Sequence, residues 1–194
     1  MNQSHKSFLS PEMIVQAIGV GEGERVADFG CGTGHLVLAL ARSLGPAGMV
    51  YAIDIDAEMV SSARSYVYHE GFRNAMFIHA DLLKGQLTSI AKQSLDYIIL
   101  SNLLHVLQPE DRSKVFCRAA EYLKPNGKLV VIDWEKQKSL LGPGLHLRVS
   151  AEDAKQAAAA CAFSFEQAFD AGMYHYGLIF THKPKKGPQK KQQP

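Results

Sequence analysis

Apolar positions change their period repeatedly along the chain, and each change marks an element. After Ser10, with Pro11 at the first helical position, Met13, Ile14, Ala17 and Ile18 recur at helical spacing and predict a short capped helix. A strand is predicted over 25–29. Leu36, Val37, Leu40, Ala41 and Leu44 then return to the helical period until Gly45 and Pro46 stop it. A second strand follows over 49–53. Asp56 can cap a helix whose inner face is Val60, Ala63 and Val67 and which ends before Gly71; residues 75–78 predict a third, shorter strand.

A short helix is predicted over 87–91, and 95–100 is apolar enough for a central strand covered on both faces. Pro109, Glu110 and Asp111 open a helix with acid in its first turn, which carries Val115, Ala119, Tyr122 and Leu123 inward. Lys124-Pro125-Asn126-Gly127 predicts a turn before a strand over 128–133. Ser150 and Asp153 have the spacing of a capping box for the alanine-rich helix that runs to Cys161. The pattern then changes: 164–169 and 175–181 are too close together for a crossover and must pair as antiparallel neighbours. Five strand–helix units and a closing hairpin define an α/β fold class. They predict one doubly wound sheet, mostly parallel with an antiparallel C-terminal hairpin, and helices on both faces.

With 194 residues and 46% hydrophobic content, the chain suffices for one full core. A single domain is expected over 1–182, with 1–22 as an N-terminal cap-helix region. The formal net charge of +2 hides a division: five lysines lie in 183–194, and without them the remainder carries about −3. That segment has no apolar group to bury, so a disordered basic tail is expected there, a possible contact for nucleic acid or an acidic protein. No run approaches the roughly 18 apolar residues of a membrane-spanning helix, and no secretory signal is evident, so a cytoplasmic protein is expected. The three cysteines, Cys31, Cys117 and Cys161, are scattered and odd in number. They predict reduced thiols rather than a disulfide framework, and no spacing of metal ligands is visible.

The chemistry concentrates in Val26-Ala27-Asp28-Phe29-Gly30-Cys31-Gly32-Thr33-Gly34. Its glycines fall at the carboxyl end of the first strand and the start of the next helix, where open α/β sheets bind ligands. Glycine lets a ligand lie against the main chain, and the helix N-terminus presents unpaired N–H groups. The spacing differs from the dinucleotide pattern by one residue, and no Gly-Lys-Ser/Thr follows to hold phosphate and magnesium. An aspartate ahead of the turn would repel a pyrophosphate but suits a ligand that carries an ammonium group.

On these residues the sequence resembles the class I S-adenosylmethionine-dependent methyltransferases, which have a Rossmann-like fold of seven strands. The resemblance continues in order through Val50-Tyr51-Ala52-Ile53-Asp54-Ile55, His79-Ala80-Asp81-Leu82, Ser101-Asn102-Leu103-Leu104-His105 and Leu123-Lys124-Pro125-Asn126-Gly127-Lys128-Leu129. It implies S-adenosylmethionine as cofactor, with S-adenosylhomocysteine as product. It also implies that Gly30, Cys31, Gly32 and Gly34 run beside the methionine portion, that Asp28 lies near its amino group, and that Asp54 holds the ribose. A carboxylate suits the ribose because its two oxygens can accept from adjacent hydroxyls. Ile55 would pack on the adenine, with Asp81 and Leu82 at its polar edge and Asn102 and Leu103 at the reacting methyl group.

The nearest group is that of small-molecule and quinone-biosynthesis methyltransferases. The Asn/Asp-Pro-Pro-Tyr/Phe segment and the Pro-Cys pair are missing, which argues against methylation of amide or amino nitrogens and of pyrimidine carbon. If the acceptor must lose a proton, imidazole is matched to neutral pH. His105, His175 and Tyr174 are the catalytic candidates, with His146 a further choice and Arg148 a possible anchor for an anionic acceptor. Phe8 and Leu9 would close over the cofactor or staple the first helix to the sheet. The alternatives are a protein or nucleic-acid methyltransferase that docks through the tail, and a non-catalytic module that binds the cofactor.

Overall fold

The computed structural model of the chain describes residues 10–183. In chain order they form α1 (Pro11–Ile18), β1 (Arg25–Phe29), α2 (His35–Leu44), β2 (Met49–Asp54), α3 (Ala57–His69), β3 (Ala75–His79) and β4 (Leu95–Ser101). A 3-10 turn (Leu104–Val106) then leads to α4 (Pro109–Tyr122), β5 (Leu123–Trp134), α5 (Ala151–Ala160), β6 (Phe163–Asp170) and β7 (His175–His182). All seven strands join one sheet in the order β3-β2-β1-β4-β5-β7-β6. The first five are mutually parallel, and β7 runs antiparallel to both of its neighbours.

Alternation along the strands divides the core between the two faces. Phe29, Ile53, Leu100 and Val131 point toward α4 and α5, where Phe116 and Ala158 meet them. Val26, Val50, Ile99 and Ile132 point the other way, toward α1, α2 and α3. The central strands are apolar on both sides because both are covered. Each fully buried side chain of this size contributes about 1.5–3 kcal/mol.

Two of the three expected caps form: Ser10 makes no side-chain cap to α1, because its hydroxyl donates to the Glu12 carboxylate at 2.8 Å instead. Asp56 accepts from the N–H groups of Glu58 and Met59 at the start of α3, and Ser150 with Asp153 closes a reciprocal capping box on α5. Three expectations need correction. Residues 87–91 are turn rather than helix: Leu87 and Ile90 drop separately into the core, and the Leu87 N–H is held by the Tyr122 hydroxyl at 2.8 Å. Their helical spacing reflects two anchors of a loop. The turn at 124–127 is a bulge within β5: its register passes from Leu95↔Leu123 to Tyr97↔Lys128, with Asn126 at φ 64°. Finally, Cys117 and Cys161 are disulfide-bonded, so only Cys31 is a free thiol. The pairing joins α4 to the end of α5, two elements that the sequence alone did not bring together.

At the C-terminus the Lys183 N–H donates to the Ala162 carbonyl at 2.9 Å; the rest of the expected tail, like Phe8 and Leu9, lies outside the described residues. Among the described residues no helix is long and apolar enough to cross a membrane.

Candidate functional site

Strand order reverses between β1 and β4, and the crevice at their carboxyl ends is where the expected cofactor residues lie. Gly30, Gly32 and Gly34 all take positive φ, at 84°, 49° and 88°. At Gly34 a Cβ would also stand 2.8 Å from the Ala63 Cβ, so glycine is what lets α2 begin against α3. The loop is tied to β2 by its backbone. Gly30 and Cys31 donate to the Ile53 carbonyl at 2.8 and 3.0 Å, and Gly32 donates to Asp54 Oδ2 at 2.9 Å.

Asp54 is thus built into the loop, with its other oxygen accepting from the Asp56 N–H at 3.0 Å. An ionised carboxylate offers about four acceptor sites, so two backbone donors leave room for two hydroxyls. Asp81 accepts from the Leu83 N–H at 2.8 Å and pairs with Lys84 at 3.2 Å; these contacts hold its carboxyl below the usual range. The Leu82 carbonyl takes the Arg118 Nε at 3.0 Å, which fixes this wall to α4.

A cavity of about 240 Å³ is lined by Gly30, Asp54, Ile55, Asp81, Leu82, Asn102 and Leu103 among others. Seven expected cofactor residues from four strand ends therefore converge, joined by Leu83, Val106 and Leu107, which the sequence reading missed. Asp28, Cys31, Gly32 and Gly34 are not among its lining residues. A larger depression of about 580 Å³ beside Arg42, Pro46 and Phe72 lies at the amino edge of the sheet, away from the switch point.

Asp28, near the end of β1, is a buried carboxylate. It is 2% exposed, its Oδ1 has no hydrogen-bond partner, and burial together with the nearby Asp54 pushes its pKa up to about 7. A buried carboxylate oxygen without a donor is costly unless something cationic or hydrogen-bonding arrives. An orphaned carboxylate oxygen next to the glycine loop is chemically suited to a cofactor that carries an ammonium, and to that extent the residues present fit the one the resemblance implies, with Asp28 behind the cavity wall rather than in it. Cys31 is buried next to the same two carboxylates, which pushes its thiol pKa up and leaves it inert.

On the other side of Asn102 lies a polar cluster. Asn102 itself has φ 55°, a strained conformation for a non-glycine residue, and its Oδ1 lies 3.0 Å from His175 Nε2. His175 opens β7, opposite Trp134, and packs on that indole with ring centres 4.2 Å apart and the planes tilted by 43°. Burial, opposed by Asp133, lowers its pKa. Tyr174 stands 6.3 Å from the same indole, and its carbonyl accepts from the Glu135 N–H at 2.7 Å. His105, on the 3-10 turn, places Nδ1 2.9 Å from Oδ1 of the fully buried Asp133.

His105, His175 and Tyr174 thus gather around Asp133 and Trp134, neither of which the sequence reading assigned a role. The available signal was a lone charge at the carboxyl end of an apolar strand, whereas Asp54 is assigned through the family resemblance. His146 is exposed beside Gly144 and outside this cluster. Arg148 is neither an anchor for an anion nor a solvated charge. It is 3% exposed and spends five donors on the carbonyls of Glu135, Gln137, Leu141 and Pro143 and on the Ser139 hydroxyl. Its guanidinium, over Trp134 at 5.3 Å, organises the loop that roofs the cluster.

Fold and site together define an open, doubly wound α/β protein with a ligand crevice at its switch point. The chain belongs to the methyltransferase-domain family, whose model matches residues 21–182. It is 32% identical over 138 residues to an arsenite methyltransferase of Aquipseudomonas alcaligenes, covering 66% of this chain and 39% of that protein. It is 30% identical over 129 residues to the ubiquinone/menaquinone biosynthesis C-methyltransferase UbiE of Pseudomonas paraeruginosa, covering 66% and 48%. The chain therefore spans about half or less of the length of these relatives. Among solved structures, a SAM-dependent methyltransferase from Aquifex aeolicus superposes with a TM-score of 0.81 at 25% identity, over 90% of each chain.

Proposed function

We propose that the chain transfers a methyl group from S-adenosylmethionine to a small-molecule acceptor by direct in-line displacement. The observation that carries this reading is the convergence of Gly30, Asp54, Asp81 and Asn102, from four different strand ends, on one cavity. When bound, the sulfonium cofactor supplies an already activated methyl group, so the protein's share is positioning. Asp54 receives the ribose hydroxyls, Ile55 covers the base, Asp81 and Leu82 meet its polar edge, and Asp28 faces the ammonium through the loop. Asn102 and Leu103 bound the reacting end, and His105, His175 and Tyr174 are the groups that meet the acceptor.

The chemistry of the donors bears on which acceptor fits. A soft, thiophilic acceptor such as arsenic(III) calls for thiolates. Here the one free cysteine is buried with its pKa raised, and the other two are bonded to each other. An oxygen, nitrogen or carbon acceptor suits the imidazoles better. The Cys117–Cys161 disulfide weighs against the cytoplasmic setting expected from the sequence, since such bonds are rare in a reducing compartment.

Calorimetry with S-adenosylhomocysteine tests the first half of the reading. The full chain should release heat, and Asp54→Ala should weaken binding by at least about 10-fold, since hydrogen bonds to a charged group are worth about 1.5–3 kcal/mol. No heat with the wild type, or equal affinity in the variant, would remove the proposal. Incubation with methyl-labelled cofactor and fractionated cell extract tests the second half. Label is expected in small molecules; label in protein or RNA that is lost on removing 184–194 would favour docking through the tail instead, and binding without any transfer would favour a non-catalytic module.

A further inference from the structure

We propose that Asp133 is a positioning residue that holds His105 in its Nδ1–H tautomer, so that the Nε2 lone pair is the base that takes a proton from the methyl acceptor, while His175 binds the acceptor without deprotonating it. This rests on the methyltransferase reading above. It narrows the acceptor to molecules whose nucleophilic atom carries a proton, such as an enolic or phenolic hydroxyl or an acidified C–H or N–H.

The geometry of Asp133 supports the assignment. Its side chain is fully buried, and three donors converge on it: the Leu104 N–H on Oδ2 at 2.8 Å, the Trp134 N–H on Oδ1 at 2.8 Å, and His105 on Oδ1 at 2.9 Å. Two of these are backbone groups from the ends of β5 and the 3-10 turn, so the carboxylate is itself locked before it meets the imidazole. A carboxylate can only accept, which requires Nδ1 to carry the proton and leaves Nε2 as the lone-pair nitrogen. A neutral acceptor would satisfy the two backbone donors at less cost, because a buried carboxylate carries a desolvation penalty of several kcal/mol. The His105 side chain keeps 13% of its surface exposed beside a carboxylate that has none.

His175 is arranged differently. Its Nε2 is engaged by the Asn102 amide oxygen, and burial, His105 and Arg148 all disfavour its charged form, with only Asp133 opposing. His105 is hydrogen-bonded to Asp133 from β5 and lies within electrostatic reach of His175 from β7, and Arg112 of α4 donates its Nε to the neighbouring Leu104 carbonyl at 3.2 Å. During transfer the acceptor's proton moves to His105 Nε2 and the acceptor's electron pair forms the new bond to the methyl carbon. The pair of the broken carbon–sulfur bond stays with sulfur, so the positive charge passes to an imidazolium beside Asp133.

The test uses full-length protein labelled with ¹⁵N at histidine and saturated with S-adenosylhomocysteine. His105 is identified by the signals that His105→Gln removes. Two-bond proton–nitrogen correlations should report the Nδ1–H tautomer in the wild type. In Asp133→Asn they should move toward the Nε2–H form, with cofactor affinity within about 3-fold of wild type. With the acceptor fraction found by the labelling experiment, Asp133→Asn should lose about 10²–10⁴-fold in kcat with little change in KM. An Nε2–H tautomer in the wild type overturns the proposal even if the variant does not fold, and so does a folded variant with unchanged kcat. Absence of cofactor binding would instead sink the reading of the previous section, and the same correlation spectrum recorded on ligand-free protein reports the tautomer independently of it.

Discussion

Individual residues show where this protein gives up stability for its site. Asp28 has a folded pKa of about 7 against 3.8 for an ordinary aspartate. Between those values the folded state keeps a proton that the unfolded state has lost. Its contribution to stability is therefore intact below about pH 4, falls as pH rises toward 7, and is level above that. Asp28→Asn should raise the thermal midpoint of the ligand-free protein at pH 8, with an upper bound of about 4 kcal/mol, and leave it unchanged near pH 4. The same variant should bind S-adenosylhomocysteine more weakly. Melting curves at the two pH values, set beside calorimetry, check both parts; a variant that melts with the wild type at pH 8 would show that the carboxylate is not strained. Asp54 was picked out only by the family resemblance, and the Asp56 cap was legible in the sequence because its partners lie within three residues. Asp133 and Arg148 were not: a lone charge at a strand end and an arginine in a loop say nothing about which atoms fold back onto them.

Between elements, the start of α2 meets α3 at a residue with no side chain. In Gly34→Ala the new Cβ would lie 2.8 and 2.9 Å from the Cβ and Cα of Ala63, and the backbone would hold an L-residue at φ 88°. Overpacking and left-handed strain together should cost about 2–4 kcal/mol. Urea unfolding should show a lower midpoint with an unchanged slope; an unaltered midpoint would mean that the two helices can part freely. Elements with a sustained period were readable from the chain. The segment 87–91 was not, because two buried anchors three residues apart produce the same spacing whether a helix or a loop lies between them.

At the scale of the whole molecule, the Cys117–Cys161 bond closes a separation of 44 residues and ties α4 to the end of α5 on one face of the sheet. By the chain-entropy account such a loop contributes about 4 kcal/mol. Non-reducing peptide mapping should recover the 117–161 linkage, and either reductant or Cys117→Ser should lower the thermal midpoint by several degrees; free thiols at both positions would refute it. The sequence by itself determined the alternation of strands and helices, the reversed final hairpin and the bare glycine turn, because period, capping and backbone freedom are properties of neighbouring residues. Only the tertiary structure decided that His105 meets Asp133 across 28 residues and His175 meets Asn102 across 73. Hydrogen bonds act over about 3 Å, and which distant side chains come that close is settled by strand order and register, to which no local pattern is sensitive.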